Sequence, residues 1–407
     1  MVDFRRLKDA DITGKRVLVR VDFNVPCDKN GTVTDDTRLR AALPTIAYLR
    51  KNGAITALLS HFGRPDGEPS PENSLKKLIA PLSALIGNDV AFAPECIGHD
   101  ADRILSALPP GGIVLLENTR FQKGETHKAD GIKGYDPKFA KALADLGDVF
   151  IHDAFSVAHR AQGSTSGIAE YLTAYAGLAM ERELDHISQA LDAPKRPVMG
   201  LVGGAKVSTK IDLLKNLVGK LDCLAIGGGM ANTFLAALGH TVGKSLCEHE
   251  LTKTVLQIMD NARTENCEII LPIDVVAATD FKENAPHRVC GFDHVKPDEI
   301  ILDVGPKTVN LLADAMDASN CLIWNGPLGA FEITPFDTAT VEAARYAAKR
   351  TKQNGLISVA GGGDTVAVLK HAGAADDFTF ISTAGGAFLE WMEGKPLPGI
   401  EILNSKL

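Results

Sequence analysis

Four glycine-rich corners in the second half of the chain each follow a short apolar run and open a helical pattern: Gly203-Gly204-Ala205-Lys206, Gly227-Gly228-Gly229, Gly361-Gly362-Gly363-Asp364-Thr365 and Ala384-Gly385-Gly386. A strand that turns on glycine into a helix presents bare N–H groups and the positive end of a helix dipole, which suits phosphate. One such corner reads equally well as a tight turn without a ligand. Four in one segment, two of them carrying Lys206 and Asp364, point to a nucleotide held in this half.

Strand and helix patterns alternate along the whole chain. Residues 16–25 read as a strand, 38–52 as a helix whose first turn Pro44 unsettles, and ITALLSH, DVAFAP, GIVLLEN and DVFIHDAF as further strands separated by helical segments such as SLKKLIAPLSALIG. After a helix near 181–192 the pattern restarts with strands at PVMGLVG, CLAIGG, EIILPIDVV, EIILDVG, CLIWNG, LISVAGG and FTFIST. Near-continuous apolar strands alternating with helices indicate parallel sheets covered on both faces. The expected fold is α/β: two doubly wound, Rossmann-like domains joined by a helical hinge. The first would span 1–175 and the second 176–389, with the C-terminal segment 390–407 returning to the first. Asp22, Asn24, His61, Arg64, Asn118, Arg120, Asp153, Asn325 and Asp364 all fall at strand ends, where open α/β sheets bind ligands.

Charge and cysteine content exclude other classes. Residues 1–170 hold 22 Lys+Arg against 22 Asp+Glu, whereas 171–407 hold 21 against 29, so the net −8 resides in the second part. That balance argues against nucleic-acid binding, yet 11 of the 17 arginines lie in the first 170 residues. The seven cysteines form no C-x-x-C pair, which argues for reduced thiols and against a zinc site. His152 and His159, seven apart around Asp153, match no common zinc spacing. No apolar run approaches a membrane span of about 20 residues, and the charged N-terminus lacks a signal core. A cytoplasmic location is the default expectation.

VRVDFNVP, DDTRLRAALPTI, SHFGRP, LLENTRF, DAFSVAHR, GGAKVSTKI, GGGMANTF, WNGPLGAFE and GGGDT resemble, in order and spacing, the signature blocks of phosphoglycerate kinase, from about residue 12 to the LPGIEIL near the C-terminus. The resemblance implies reversible phosphoryl transfer between 1,3-bisphosphoglycerate and MgADP, giving 3-phosphoglycerate and MgATP, by a monomer without membrane or nucleic-acid partners. It implies that Arg64, Arg120, Arg160 and His61 hold the 3-phosphate. Asp22-Phe23-Asn24 and the block His61-Phe62-Gly63-Arg64 would frame the rest of phosphoglycerate. Arg38 would stand beside the carboxyl being phosphorylated. Arg40, two positions on, faces elsewhere and reads as a surface or packing arginine. Phe62 departs from the family's HLGR and is expected to alter packing, not chemistry.

In the second half, Lys206 and Lys210 stand four apart on an expected helix and would share one face. A solvated lysine face is the plain alternative. The resemblance implies Lys206 on the transferring phosphoryl and Lys210 on the inner phosphates. It also implies Gly229 and Gly305 close to adenine, Asn325 at phosphate, Glu332 at the ribose and Asp364 on Mg²⁺. Gly361, Gly362 and Gly363 would supply N–H groups and Thr365 a hydroxyl. Asp364 could alternatively cap its helix. Gly363 and Gly385 would flank the transferring group. Ala384, where the family has glycine, would be strained if its backbone required positive φ. The runner-up reading is an inactive nucleotide-binding scaffold of the same fold. A nicotinamide dehydrogenase is disfavoured, because the first strand ends in Asp-Phe-Asn instead of G-x-G-x-x-G.

Overall fold

The chain folds as alternating strands and helices throughout the computed structural model, which describes residues 3–128, 134–191 and 193–404. Its internal contacts form two compact units. One runs to Asp185 and regains the chain at Pro396; the other is His186–Lys395. The first cut falls inside the helix Leu178–Leu191. The expected end of this helix at Asp192, and residues 405–407 of the expected returning segment, lie outside the described residues.

In the first unit, β1 (Arg16–Arg20), β2 (Ile55–Leu59), β3 (Ala91–Ala93), β4 (Ile113–Leu116), β5 (Val149–His152) and β6 (Ala174–Ala176) form one parallel sheet in the order β3-β4-β2-β1-β5-β6. The apolar runs are buried because helices cover both faces. The helix Thr37–Lys51 buries Leu39, Ala42, Ile46 and Leu49, a three–four–three spacing that makes one apolar stripe. Pro44 lies inside this helix, as its eighth residue, and has no N–H to give the Arg40 carbonyl. The expected strand 16–25 stops at Arg20. Beyond it the backbone bonds locally, Asn24 N to Asp22 Oδ1 (3.1 Å) and Val25 N to Phe23 O (2.9 Å), which lifts these residues off the ladder. The C-terminal segment packs into this unit: Gly399 N donates to Ala158 O and Arg5 N to Leu403 O, both at 2.8 Å.

In the second unit, β7 (Val198–Val202), β8 (Cys223–Ile226), β9 (Glu268–Ile270), β13 (Cys321–Asn325), β14 (Ile357–Gly361) and β15 (Phe380–Ser382) make a parallel sheet ordered β15-β14-β13-β7-β8-β9. A separate antiparallel sheet holds β10 (Asp274–Ala278) between β11 (His287–Gly291) and β12 (Ile300–Val304). Sequence periodicity assigns EIILPIDVV and EIILDVG to the parallel sheet. Instead Pro272 separates β9 from β10, and both β10 and β12 leave for the smaller sheet. Strand β11 has a half-exposed, polar pattern with no apolar run to announce it.

Each parallel sheet reverses its winding once, between β1 and β5 and between β13 and β7. These are the switch points at which open sheets leave a crevice for ligands.

Candidate functional site

In the first unit the loops after β1, β2, β4 and β5 bring the expected cations together. Arg64, Arg120 and Arg160 line one cavity of about 700 Å³, together with His127 and Gln162. Arg120 is largely buried, and its Nη1 donates to Gly63 O at 2.6 Å, but its Nε has no hydrogen-bond partner. Burial first, then Arg160, Arg20 and Arg64, push this guanidinium down to about 10. Clustered cations with a buried donor left unpartnered suit an anionic ligand.

Arg38 stands at the first turn of its helix, off the apolar stripe. Its Nη1 lies 2.9 Å from Asp22 Oδ2 and 2.9 Å from Asn24 O. Ser156 Oγ also donates to Asp22 (2.5 Å), and Asn24 Oδ1 accepts from Gly63 N (2.9 Å). Asp22, Asn24, Arg38, Gly63 and Arg120 thus form one bonded chain. Gly63 sits at φ +60°, and a Cβ there would come within 2.1 Å of Asn73 Oδ1, so only glycine fits. Arg40 pairs with Asp36 on the exposed face. The Phe62 ring is buried, with the Lys77 ammonium 4.3 Å from its centroid. Phe23 is wholly buried, and its backbone N–H donates to Ser60 Oγ at 2.9 Å.

Behind this layer lies a residue that the sequence reading passed over. Arg20, fully buried at the end of β1, donates to Ser164 Oγ (2.9 Å), to Val21 O, and to His61 Nδ1 at 3.1 Å. A guanidinium only donates, so His61 accepts on Nδ1 and carries its ring proton on Nε2. Burial and the surrounding arginines 20, 120, 160 and 38 hold His61 well below the ordinary histidine range, so it works as a neutral donor. Ser164 in turn donates to buried Glu125, from Oγ at 2.6 Å and from N at 2.8 Å. The signal was available: an arginine inside VLVRV has no solvent to face.

In the second unit the loops after β7 and β13 meet backbone to backbone. A Cβ on Gly203 would lie 1.8 Å from Pro327 O, and one on Gly326 (φ +102°) 2.2 Å from Gly203 O. Nearby, Gly204, Gly229, Glu332 and Asp364 line a cavity of about 320 Å³. Its walls are otherwise mainly apolar, from Val275, Leu302, Leu328, Ala330 and Phe281. Such a slot, with carboxylates at its edge and glycine N–H groups beside it, suits a flat base joined to a polar sugar and phosphates. Buried Asp303 also lines it, its carboxyl pushed well up by burial although Val304 N and Ala339 N donate to it.

Several expectations change here. Lys206 and Lys210 do not share a helical face. Lys206 is on extended backbone (φ −134°, ψ 134°) before the single 3-10 turn Val207–Thr209, and the α-helix begins only at Ile211. Lys206 is exposed, whereas Lys210 is turned inward, its Nζ donating to Gly203 O and Asn325 Oδ1, each at 2.6 Å. Burial pushes Lys210 down to about 8, against the opposing pull of Asp364. Asn325 Nδ2 is bonded to Gly361 O (2.7 Å), so this amide ties strand ends together. Gly305 does not line the cavity; its missing side chain makes room for the Asp274 carboxylate, which a Cβ would meet at 2.3 Å. That carboxylate accepts from Lys307 N and Thr308 N at the start of the helix Pro306–Asp317.

The remaining corners open directly into helices at Gly228, Gly363 and Gly385. Gly362, at φ +101°, is the cap of the helix Gly363–His371, and no side chain caps it. Asp364 is therefore not the cap; it is exposed on the first turn and borders the cavity. Thr365 Oγ1 accepts from Gly326 N (2.7 Å) and keeps its own proton for an acceptor. No atom lies within 4 Å of a Cβ built on Gly363, and only Gly362 Cα and Gly363 N approach one on Gly385, near 3.8 Å. Ala384 has φ −97° and ψ 51°, so the strain expected from positive φ does not arise.

A family model described as Phosphoglycerate kinase matches residues 7–395. The phosphoglycerate kinase of Brucella abortus biovar 1 (strain 9-941) is 58% identical over 401 residues, 98% of this chain and 99% of that protein. The phosphoglycerate kinase of Caulobacter vibrioides (strain NA1000 / CB15N) is 56% identical over 402 residues, 99% of this chain and all of that protein. The solved structure of phosphoglycerate kinase from Coxiella burnetii matches with a TM-score of 0.91 at 42% identity, covering 99% of each chain.

Proposed function

Because the chain belongs to the phosphoglycerate kinase family, a family of ATP:3-phosphoglycerate phosphotransferases, we propose that it transfers a phosphoryl group directly and in line between 1,3-bisphosphoglycerate and MgADP. In the reverse direction the 3-phosphoglycerate carboxylate attacks the γ-phosphorus of ATP; the new O–P bond forms as the bond to ADP breaks. The nucleophile is already ionised, so no general base is required. The barrier is electrostatic: two unit anions about 4 Å apart repel by about 4 kcal/mol at an effective dielectric of 20. Placed cations and N–H groups have to offset this.

One observation supports this reading most: buried Arg120, with an unpartnered Nε, in a cavity it shares with Arg64 and Arg160, with neutral His61 alongside. These groups would take the 3-phosphate, His61 donating from Nε2. Asp22 and Asn24, which already hold Arg38, would orient the glycerate and aim that guanidinium at the carboxyl. In the second unit, Gly229 and the apolar slot would take adenine, Glu332 the ribose, and Lys206 with the glycine corners the phosphates. Lys210 would act from behind, as a cation held at the switch point.

Asp364 fits a Mg²⁺ that arrives with the nucleotide: it is exposed at the cavity edge and not used as a cap, and this ion needs only about one or two protein carboxylates. Among the described residues no group of three His, Cys, Asp or Glu could hold a metal alone. When bound, the ion supplies charge neutralisation on the phosphates. Residues 1–175 with 390–407 would serve phosphoglycerate and 176–389 the nucleotide, in a cytoplasmic monomer. No helix among the described residues is long and apolar enough to cross a membrane.

The test is a coupled measurement of ADP formed from MgATP and 3-phosphoglycerate, beside Arg38→Ala. Turnover is expected, with kcat in the variant lower by about 10²–10³-fold and nucleotide affinity unchanged. No ADP from the native protein would support the inactive scaffold instead.

A further inference from the structure

We propose that Glu248 is a positioning residue that holds Lys206 in place through the main chain of its loop. The inference rests on the reading of Lys206 as the cation on the transferring phosphoryl group. Lys206 is poorly held by its own surroundings: it is exposed, extended, and separated from the helix Ile211–Val218 by one 3-10 turn. Within the loop, Thr209 Oγ1 bonds back to Lys206 O (2.8 Å). Such a loop loses backbone entropy when it orders, and a cation at a reacting group must be placed to a fraction of an ångström.

Glu248 supplies the missing restraint. Its Oε2 accepts from Ser208 N (3.0 Å) and its Oε1 from Ser208 Oγ (2.6 Å), so one carboxylate grips both donors of a single residue, two positions from Lys206. A forked contact fixes orientation as well as distance. The grip is itself anchored, since Glu248 N donates to Thr233 Oγ1 (3.1 Å) on the helix Gly228–Ala237. Two residues earlier, Leu246 lines the cavity and its carbonyl accepts from Asn232 Nδ2 (3.2 Å), on the same helix. Segment 246–248 therefore joins the wall of the base slot to the lysine loop. Local stability does not account for this arrangement: Ser208 is exposed and Glu248 only half-buried, and bonds near the surface stabilise little.

The experiment compares Glu248→Ala, Glu248→Gln, Lys206→Ala and the double variant Glu248→Ala/Lys206→Ala in steady-state turnover of MgATP with 3-phosphoglycerate. Affinity for MgADP is measured by equilibrium titration. Glu248→Ala is expected to lower kcat about 10-fold, a misplacement well under the 10²-fold that 1 Å can cost. MgADP affinity should stay within about twofold, as expected when only transition-state contacts are lost. Glu248→Gln should fall between, because one amide oxygen can serve one of the two Ser208 donors. In the Lys206→Ala background, Glu248→Ala should cause no further loss. An unchanged kcat in Glu248→Ala, or an equal loss with and without Lys206, overturns the proposal. A Lys206→Ala enzyme with native kcat removes the underlying reading of Lys206 instead.

Discussion

Arg20 shows how one buried residue organises the chemistry of its neighbours. It reaches His61 directly and Glu125 through the Ser164 hydroxyl, and all lie out of solvent. Removing one partner of such a set leaves the other charge uncompensated. Arg20→Met should therefore destabilise the protein by about 3–5 kcal/mol, and pairing it with Glu125→Leu should recover part of that loss; denaturant unfolding measures both. Imidazole nitrogen shifts should then show His61 released from the Nε2–H tautomer. Ala384 makes the opposite case. Its φ is negative, so Ala384→Gly gains no relief from positive-φ strain and should change thermal stability by less than about 1 kcal/mol. The extra freedom of the unfolded chain opposes the better glycine cap. Sequence reading placed most of its candidate residues at or just after strand ends, and the structure puts them there. It passed over Arg20, and it did not foresee Gly305 against the Asp274 carboxylate or Asn325 against Lys210 and Gly361, because these partners come from loops distant in sequence.

At the scale of the element, the end of β5 and the start of the helix Leu178–Leu191 share one carboxylate. Asp153 Oδ1 accepts from Ala179 N (2.9 Å) and Met180 N (3.1 Å), and the absent side chain of Gly177 leaves room for it. Those N–H groups favour the ionised form, but burial wins and pushes Asp153 up to about 7. The folded value lies above the unfolded one near 3.8, so the folded state holds the extra proton. That contribution is complete below about pH 4 and is lost as pH rises through about 7. Neighbouring His152, pushed down to about 3 by burial and Arg20, has the opposite sign: its contribution is present above about pH 6.5 and lost as pH falls through about 3. Asp153→Asn mimics the protonated acid. It should match the native protein in stability below about pH 4 and exceed it above about pH 7, by up to about 4 kcal/mol. Unfolding free energies across that range isolate the difference. None of this was legible in VFIHDAF, which reads as a strand whatever its last residues bond to.

For the whole molecule, the governing fact is that cations and glycine corners belong to two separately folded units. The charge division follows the same line, with residues 1–170 neutral overall and arginine-rich and 171–407 carrying the net −8. Reacting atoms must approach within about 3–3.5 Å, so transfer is proposed to require the units to close over both substrates and exclude water from the acyl phosphate. The contact division falls inside the helix Leu178–Leu191 and again where the C-terminal segment returns, and these two crossings are proposed to absorb that motion. Small-angle scattering should give a smaller radius of gyration with 3-phosphoglycerate and MgADP together than with either alone; an unchanged radius would remove the closure step.

Sequence by itself determined the α/β class, the parallel sheets and the strand-end placement of reactive residues, because apolar runs, helical spacing and glycine punctuation are local properties of the chain. Only the tertiary structure decided that β10 and β12 leave the parallel sheet, that Lys210 faces inward while Lys206 faces out, and that His61 is a neutral donor. Each of those outcomes depends on which distant backbone or side chain fills the neighbouring space, and periodicity carries no record of that.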